Sequence, residues 1–238
     1  MSSRHLALTC AAGLGVVLLA GCGTSTPATT STAIDTPIPS VTPAKVPQLN
    51  SIMLRATDLP VGWEAAPYKA DPNAAAIDAT MSKCVGVRNT DGDKVAAAHS
   101  GTFTLGDARV SSSAASYRSQ SDLDVDTAIL HSPKLSLCFQ RQLKRQIATS
   151  LPAGETIESA SLHITPGSAG GPSNILGAGT GTVTVGANGQ RVTFYVSIAF
   201  IIGPLIEAEV DSFNVGTPVP SAVLRSLAAF VATRAATV

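Results

Sequence analysis

The chain has 238 residues, 16 Lys+Arg against 16 Asp+Glu, and a formal net charge of zero. Charged residues make up only 13% of it, hydrophobic ones 45% and aromatic ones 4%. Such a balance excludes the broad basic footprint of a nucleic-acid binder, and the length fits one principal domain. The low charge fraction and an apolar start point instead toward a membrane connection.

Residues 1–21 have the pattern of a secretory signal. Arg4 and His5 precede the apolar run Leu6 to Ala20, which falls short of the ~20 apolar residues a membrane-spanning helix needs. The run closes on Leu19-Ala20-Gly21-Cys22, the small-small-Cys order of a bacterial lipobox. Cys22 is therefore the expected lipidation site and first residue of the mature protein, its acyl chains giving a membrane anchor without a spanning helix. Residues 23–47 hold seven Thr, three Ser and five Pro, with only Asp35 and Lys45 charged. Such a stretch cannot bury enough apolar area to offset its chain entropy and is expected to be a disordered tether.

Residues 48–238 have globular composition and are expected to form a single extracytoplasmic domain. Short helices are predicted at Gln48–Arg55, Ala74–Cys84 and Asp122–His131, and strands at Trp63–Tyr68, Gly101–Leu105, Ala108–Arg118 and Ile157–Thr165. After Ser132-Pro133, the positions Leu135, Phe139, Leu143, Ile147 and Leu151 recur every four residues, the stripe of an amphipathic helix. Its opposite face carries Arg141, Lys144 and Arg145. Cys138 lies on the buried side of that helix, and Cys84 is the other cysteine remaining beyond Cys22. An even pair in an oxidising compartment reads as one disulfide, worth about 4 kcal/mol on the chain-entropy model.

The C-terminal half alternates over Thr180–Val185, Gln190–Ile202 and Leu205–Phe213, with an Asn188-Gly189 hairpin signal. A two-residue turn there sets Val185 opposite Val192, Val183 opposite Phe194, Thr184 opposite Thr193 and Thr182 opposite Tyr195. For the next hairpin a three-residue loop, Ile202-Gly203-Pro204, places Ile206, Ala208 and Val210 with Phe200, Ile198 and Val196. Glu207, Glu209 and Asp211 then join Tyr195 and Ser197 on a polar face. Ser221–Arg234 closes the chain as an amphipathic helix. The expected fold is α+β, an antiparallel meander with helices packed on one face.

Chemistry is sparse. His99, His131 and His163 lack metal-ligand spacing, and no nucleophile elbow, zinc-protease or Cys-x-x-Cys motif occurs. Asp122, Asp124 and Asp126 imitate a calcium loop, but Thr127 stands where Gly is required and Pro133 where Glu is required, so a helix start at Ser121 is the better reading. Gly177, Gly179 and Gly181 precede a strand rather than a helix and read as a flexible loop, not a phosphate cradle. The remaining candidate is the polar face, Tyr195, Ser197, Glu207, Glu209 and Asp211, with Arg118 and Arg191 as conceivable anion partners.

Leu54-Arg55-Ala56-Thr57-Asp58-Leu59-Pro60-Val61-Gly62-Trp63 resembles the L-x-x-x-D-L-P-x-G-W opening of uncharacterised secreted lipoproteins of mycobacteria and related actinobacteria. The segments Arg109 to Tyr117 and Ser132-Pro133-Lys134 ahead of Cys138 are similar too. The order of elements resembles the extracytoplasmic sensor domains of mycobacterial serine/threonine kinases. That resemblance implies an antiparallel sheet with helices, a cleft and disulfides; this chain has one candidate disulfide and no kinase domain, and no functional residue carries over. The expected function is a non-catalytic, lipid-anchored envelope module, without cofactor or metal, that binds a ligand or partner. Its partners are the membrane through Cys22 and an envelope lipid, glycan or protein. A lipid or glycolipid carrier is the alternative, and an envelope hydrolase using the strand carboxylates is a third reading.

Overall fold

The computed structural model describes residues 41–152, 154–167, 172–187 and 189–238. The expected signal peptide, Cys22 and the tether as far as Ser40 lie outside the described residues. Packing begins at Ala44, which is buried and whose carbonyl accepts the Ser116 hydroxyl at 2.6 Å. The folded part thus starts four residues before the compositional boundary at Gln48.

Helix α1 (Val46–Ile52) carries Pro47 in its first turn, where a missing N–H costs nothing, and the Gln48 side chain accepts the Lys45 N–H. It is followed by β1 (Glu64–Ala66), α2 (Ala74–Val85), β2 (Lys94–His99), β3 (Thr102–Leu105) and β4 (Ala108–Tyr117). Next come α3 (Gln120–Thr127), a 3-10 turn (Ala128–His131) and α4 (Leu135–Ser150). The chain then runs β5 (Thr156–Pro166), β6 (Ile175–Ala187), β7 (Gln190–Gly203), β8 (Ile206–Val215) and α5 (Ser221–Ala235). Helix α3 is capped by Ser119, whose hydroxyl accepts the Asp122 N–H, two residues before the expected cap.

The eight strands form one antiparallel sheet in the order β1-β3-β4-β8-β7-β6-β5. Strand β2 also pairs with β4, beside Ser113–Tyr117, while β3 pairs beside Ala108–Val110, so β2 and β3 lie end to end along one edge of β4. The α+β antiparallel architecture is the expected one. The helices, however, cover both faces rather than one. Leu49 and Ile52 of α1 and Leu227, Val231 and Ala235 of α5 pack with Ile201, Ile206, Ala208 and Val210 on the first face. On the second face Met81 and Val85 of α2 and Leu135, Phe139, Leu143 and Ile147 of α4 cover Leu162, Val183, Phe194, Val196, Ile198 and Phe200. The Cys84–Cys138 disulfide joins α2 to α4 on that second face, with Cα atoms 5.8 Å apart.

The first C-terminal hairpin has the expected register, Val185 opposite Val192 and Thr182 opposite Tyr195, although Asn188 at its turn lies outside the described residues. The second does not. Its turn is Pro204-Leu205, pairing Gly203 with Ile206, Ile202 with Glu207, Phe200 with Glu209 and Ile198 with Asp211. Relative to the expected loop, every side chain of β8 changes face. Proline supplies the fixed φ of the first turn position, and Leu205 takes the second at φ 56°, the one non-glycine positive φ among the described residues. Leu205 is buried, and its carbonyl accepts the Tyr117 N–H at 2.8 Å. Burying a leucine contributes ~1.5–3 kcal/mol, enough to offset the ~1–2 kcal/mol cost of a left-handed residue.

Gly177, Gly179 and Gly181 are strand residues of β6, not a loop. A Cβ at Gly179 would come within 2.8 Å of Ile198 Cγ2, and one at Gly181 within 2.8 Å of Leu162 Cδ1. Their missing side chains make room for the layer beneath α4.

Candidate functional site

The register of β8 divides the predicted polar face in two. Tyr195 and Ser197 stay on the first face, beyond the part that α5 covers, while Glu207, Glu209 and Asp211 project from the second. The five residues do not converge, and the two halves form separate environments.

The Tyr195 half belongs to a grid of hydroxyl side chains across four strands. One row runs Ser161, Thr182, Tyr195 and Asn214; the next runs His163, Thr180, Ser197 and Ser212; a third holds Ser159, Thr184 and Thr193. Ser161 and Thr182 hydroxyls are 2.9 Å apart, and those of Thr184 and Thr193 3.2 Å. Most of the grid is exposed or half-buried, Ser212 being the buried member. Arg191 stands at its end with its charge engaged by Glu158 at 2.7 Å, and Arg118 donates to the Gly92 carbonyl, so the two arginines expected as anion partners are occupied within the protein. The hairpin register already sets Thr182 and Thr184 beside Tyr195 and Thr193; the β5 residues Ser159 and Ser161 go unmarked in the sequence, although their alternation with Ala160 and Leu162 is the available signal.

The acidic half is enclosed. Glu207 and Glu209 are 6% and 4% exposed, on a strand whose other side is equally buried. Tyr117, at the end of β4 and wholly buried, places its phenol oxygen 2.5 Å from Asp126 Oδ2 of α3 and 3.0 Å from Glu207 Oε2. The Thr90 hydroxyl donates to the other oxygen of Asp126. A phenol has one proton to give. If it goes to Asp126, the shorter contact, then Glu207 must carry a proton of its own and donate it to Tyr117. Electrostatics agree: burial first, then the charge of Asp126 and its hydrogen bond, hold Glu207 well above the usual carboxylate range. The Tyr117 phenol is pushed up by burial and by both neighbouring acids.

Beside this chain lies a cavity of about 50 Å³ lined by Lys94, His99, Ser113, Glu207, Glu209 and the alanines 97, 114, 115 and 208. Glu209 Oε2 is sealed from solvent without a hydrogen-bond partner. Burial, and after it the charge of Asp211, hold the Glu209 carboxyl well above its ordinary value, an effect Lys94 opposes. Asp211, half-buried two residues further along β8, is pushed up to about 8 by burial. The His99 imidazole is pushed down by burial and by Lys94, and it stacks on Tyr68 with ring centroids 4.0 Å apart. His131 and His163 are exposed. Among the described residues no three His, Cys, Asp or Glu side chains assemble into a metal-holding group, and no helix is long and apolar enough to cross a membrane. A drug-sized or acyl ligand needs several hundred Å³, so this cavity admits only a small group.

No protein-family model matches the chain, and no curated protein matches it.

Proposed function

We propose that the protein is a non-catalytic module of the cell envelope, anchored through lipidated Cys22 on the outer side of the cytoplasmic membrane, that binds a neutral glycan on its first sheet face. The observation that carries this reading is the hydroxyl grid centred on Thr182 and Tyr195, which spans four strands, with its neighbouring Arg191 already paired with Glu158. Hydroxyls on a regular lattice donate and accept with equal ease, which suits the alternating hydroxyls of a sugar polymer, and a tyrosine ring offers an apolar face for a pyranose. A solvated sheet face has the same alternation but needs no aromatic at its centre. The Cys84–Cys138 disulfide fits an oxidising compartment, as does the lipobox-like Leu19-Ala20-Gly21-Cys22.

One fractionation with two variants tests both parts. Cys22→Ser is expected to move the protein from the membrane to the soluble fraction. The full chain is expected to sediment with insoluble neutral envelope polysaccharide, and Tyr195→Ala to remain in the supernatant. Equal sedimentation of wild type and Tyr195→Ala, or none of either, removes the glycan reading.

A further inference from the structure

We propose that the outward surface of α4, with the end of α2 beside it, is a docking face for a bilayer rich in anionic phospholipid. Helix α4 and the residue that caps its start carry Lys134, Leu137, Arg141, Lys144 and Arg145, all exposed. At about 100° per residue these five fall within one arc of about 100°, opposite Leu135, Phe139, Leu143 and Ile147 in the core. Lys134 stands beside Gly86, the residue that ends α2, since a Cβ there would lie 3.8 Å from the Lys134 Nζ. One turn back on α2 is Lys83, also exposed, and the Cys84–Cys138 disulfide holds the two helices together at that point. The five cations therefore share one strip that runs ~16 Å along α4.

Charge sign is segregated on this surface. A helix face that is merely solvated mixes both signs, whereas α4 contains no Asp or Glu and the one acid of α2, Asp78, is buried. Among the described residues none of the five cations is held in an ion pair, although Arg88, Lys94, Arg191 and Arg234 all are. The whole chain has 16 basic and 16 acidic residues, so the strip is a local feature and not a consequence of net charge. Leu137, 47% exposed among the cations, selects the partner. A soluble polyanion gives an apolar side chain nothing to enter, while a bilayer offers the acyl boundary just beneath its head groups.

Each Lys or Arg brought against an anionic leaflet strengthens binding about fivefold, so a few of them acting together hold the domain down. The lipid anchor expected at Cys22 supplies proximity: residues 23–43 span ~25 Å as a coil, which keeps the domain within reach of the surface. Helix α4 packs behind β5, β6 and β7, the strands whose other side bears the hydroxyl grid. A domain resting on α4 thus turns the grid away from the bilayer. That orientation rests on the glycan reading; the bilayer contact does not, and it uses neither Cys22 nor Tyr195.

The test is cosedimentation of the chain from Gly23 onward, which keeps every packed residue because packing begins at Ala44, with vesicles of phosphatidylglycerol and phosphatidylcholine. Binding is expected at low ionic strength, with release at about 1 M salt, where charges interact over only ~3 Å, and none to pure phosphatidylcholine. Arg141→Gln is expected to bind about fivefold more weakly, and the triple variant Arg141→Gln, Lys144→Gln and Arg145→Gln about a hundredfold, with unchanged urea midpoints because all three are exposed. Arg225→Gln removes an exposed cation from α5 and is expected to bind as the wild type does. Leu137→Ser is expected to weaken binding severalfold with the same salt dependence. Binding that is absent, equal on neutral vesicles, or weakened equally by Arg141→Gln and Arg225→Gln overturns the proposal. Tighter binding to soluble polyphosphate than to vesicles, with indifference to Leu137→Ser, assigns the strip to an acidic polymer and overturns it too. None of these results alters what Cys22→Ser and Tyr195→Ala are expected to do in the fractionation, so the readings fail separately.

Discussion

The Tyr117 hydroxyl sits between two carboxyl groups, 2.5 Å from Asp126 and 3.0 Å from Glu207, and it has a single proton to donate. One of the two acids therefore carries a proton of its own and donates it to the phenol oxygen, and Glu207 is the one whose carboxyl burial holds well above the ordinary range. A glutamine at 207 would donate its amide N–H to Tyr117 without needing a proton. Glu207→Gln is accordingly expected to match the wild type in urea unfolding near about pH 4, where the glutamate is protonated in both folded and unfolded chains. It is expected to be the more stable of the two at about pH 8, where the wild type must either hold its proton against solution or lose the bond. Glu207→Ala removes the donor altogether and should cost roughly 1–3 kcal/mol at either pH, the range for a buried polar group left unsatisfied. An acid-side advantage for Glu207→Gln would place the proton elsewhere.

At the level of elements, α2 and α4 share the second face and are joined within its core by Cys84–Cys138, with 54 residues of separation between them. Replacing both cysteines by serine frees that loop in the unfolded chain and places a hydroxyl at Cys138, which is buried. A loss of about 4 kcal/mol in chemical denaturation is expected on the chain-entropy account, the same as dithiothreitol should produce in the wild type. The cysteine pair and the α4 stripe were legible in the sequence because each rests on local spacing and composition. The β6–β7 hairpin was legible for a related reason: Val183, Val185 and Phe194 differ so sharply from Thr182, Thr184 and Tyr195 that only one register sorts them. Strand β8 defeats that logic. Both of its faces are buried, one by α5 and α1 and the other by the Tyr117 network, so placing its acids on a wet face chose the wrong loop. What decides the turn is the burial of Leu205 and its bond from Tyr117, a partner 88 residues away in sequence and invisible to periodicity. Strand β2, Lys-Val-Ala-Ala-Ala-His, went unseen because alanine carries no strand preference; it is a strand because β4 offers it an edge.

For the whole molecule the titrating groups can be weighed against one another. Glu207, Glu209 and Asp211 all have folded values raised by burial, Asp211 to about 8. Each contributes stability that is complete below its unfolded value and is lost as pH rises toward the folded one, because in that window the unfolded chain binds fewer protons. Two groups act the other way. Burial raises Asp58, but the Arg234 hydrogen bonds at 2.6 and 2.8 Å and the Arg55 N–H outweigh it and hold the carboxyl below its ordinary value, so its contribution fades only in acid. His99 is pushed down, so the unfolded chain takes up a proton first and stability rises with pH near the ordinary histidine value of about 6.5. Between about pH 5 and about pH 8 three raised acids therefore oppose one histidine, and the net slope is negative. The urea midpoint is expected to fall steadily across that interval. Added salt should rescue little of it, because Glu207 and Glu209 are enclosed and ionic screening acts on exposed charge. A midpoint that rises over the same interval would mean that the interior carboxyls are ionised and paired, and the proton on Glu207 would go with it.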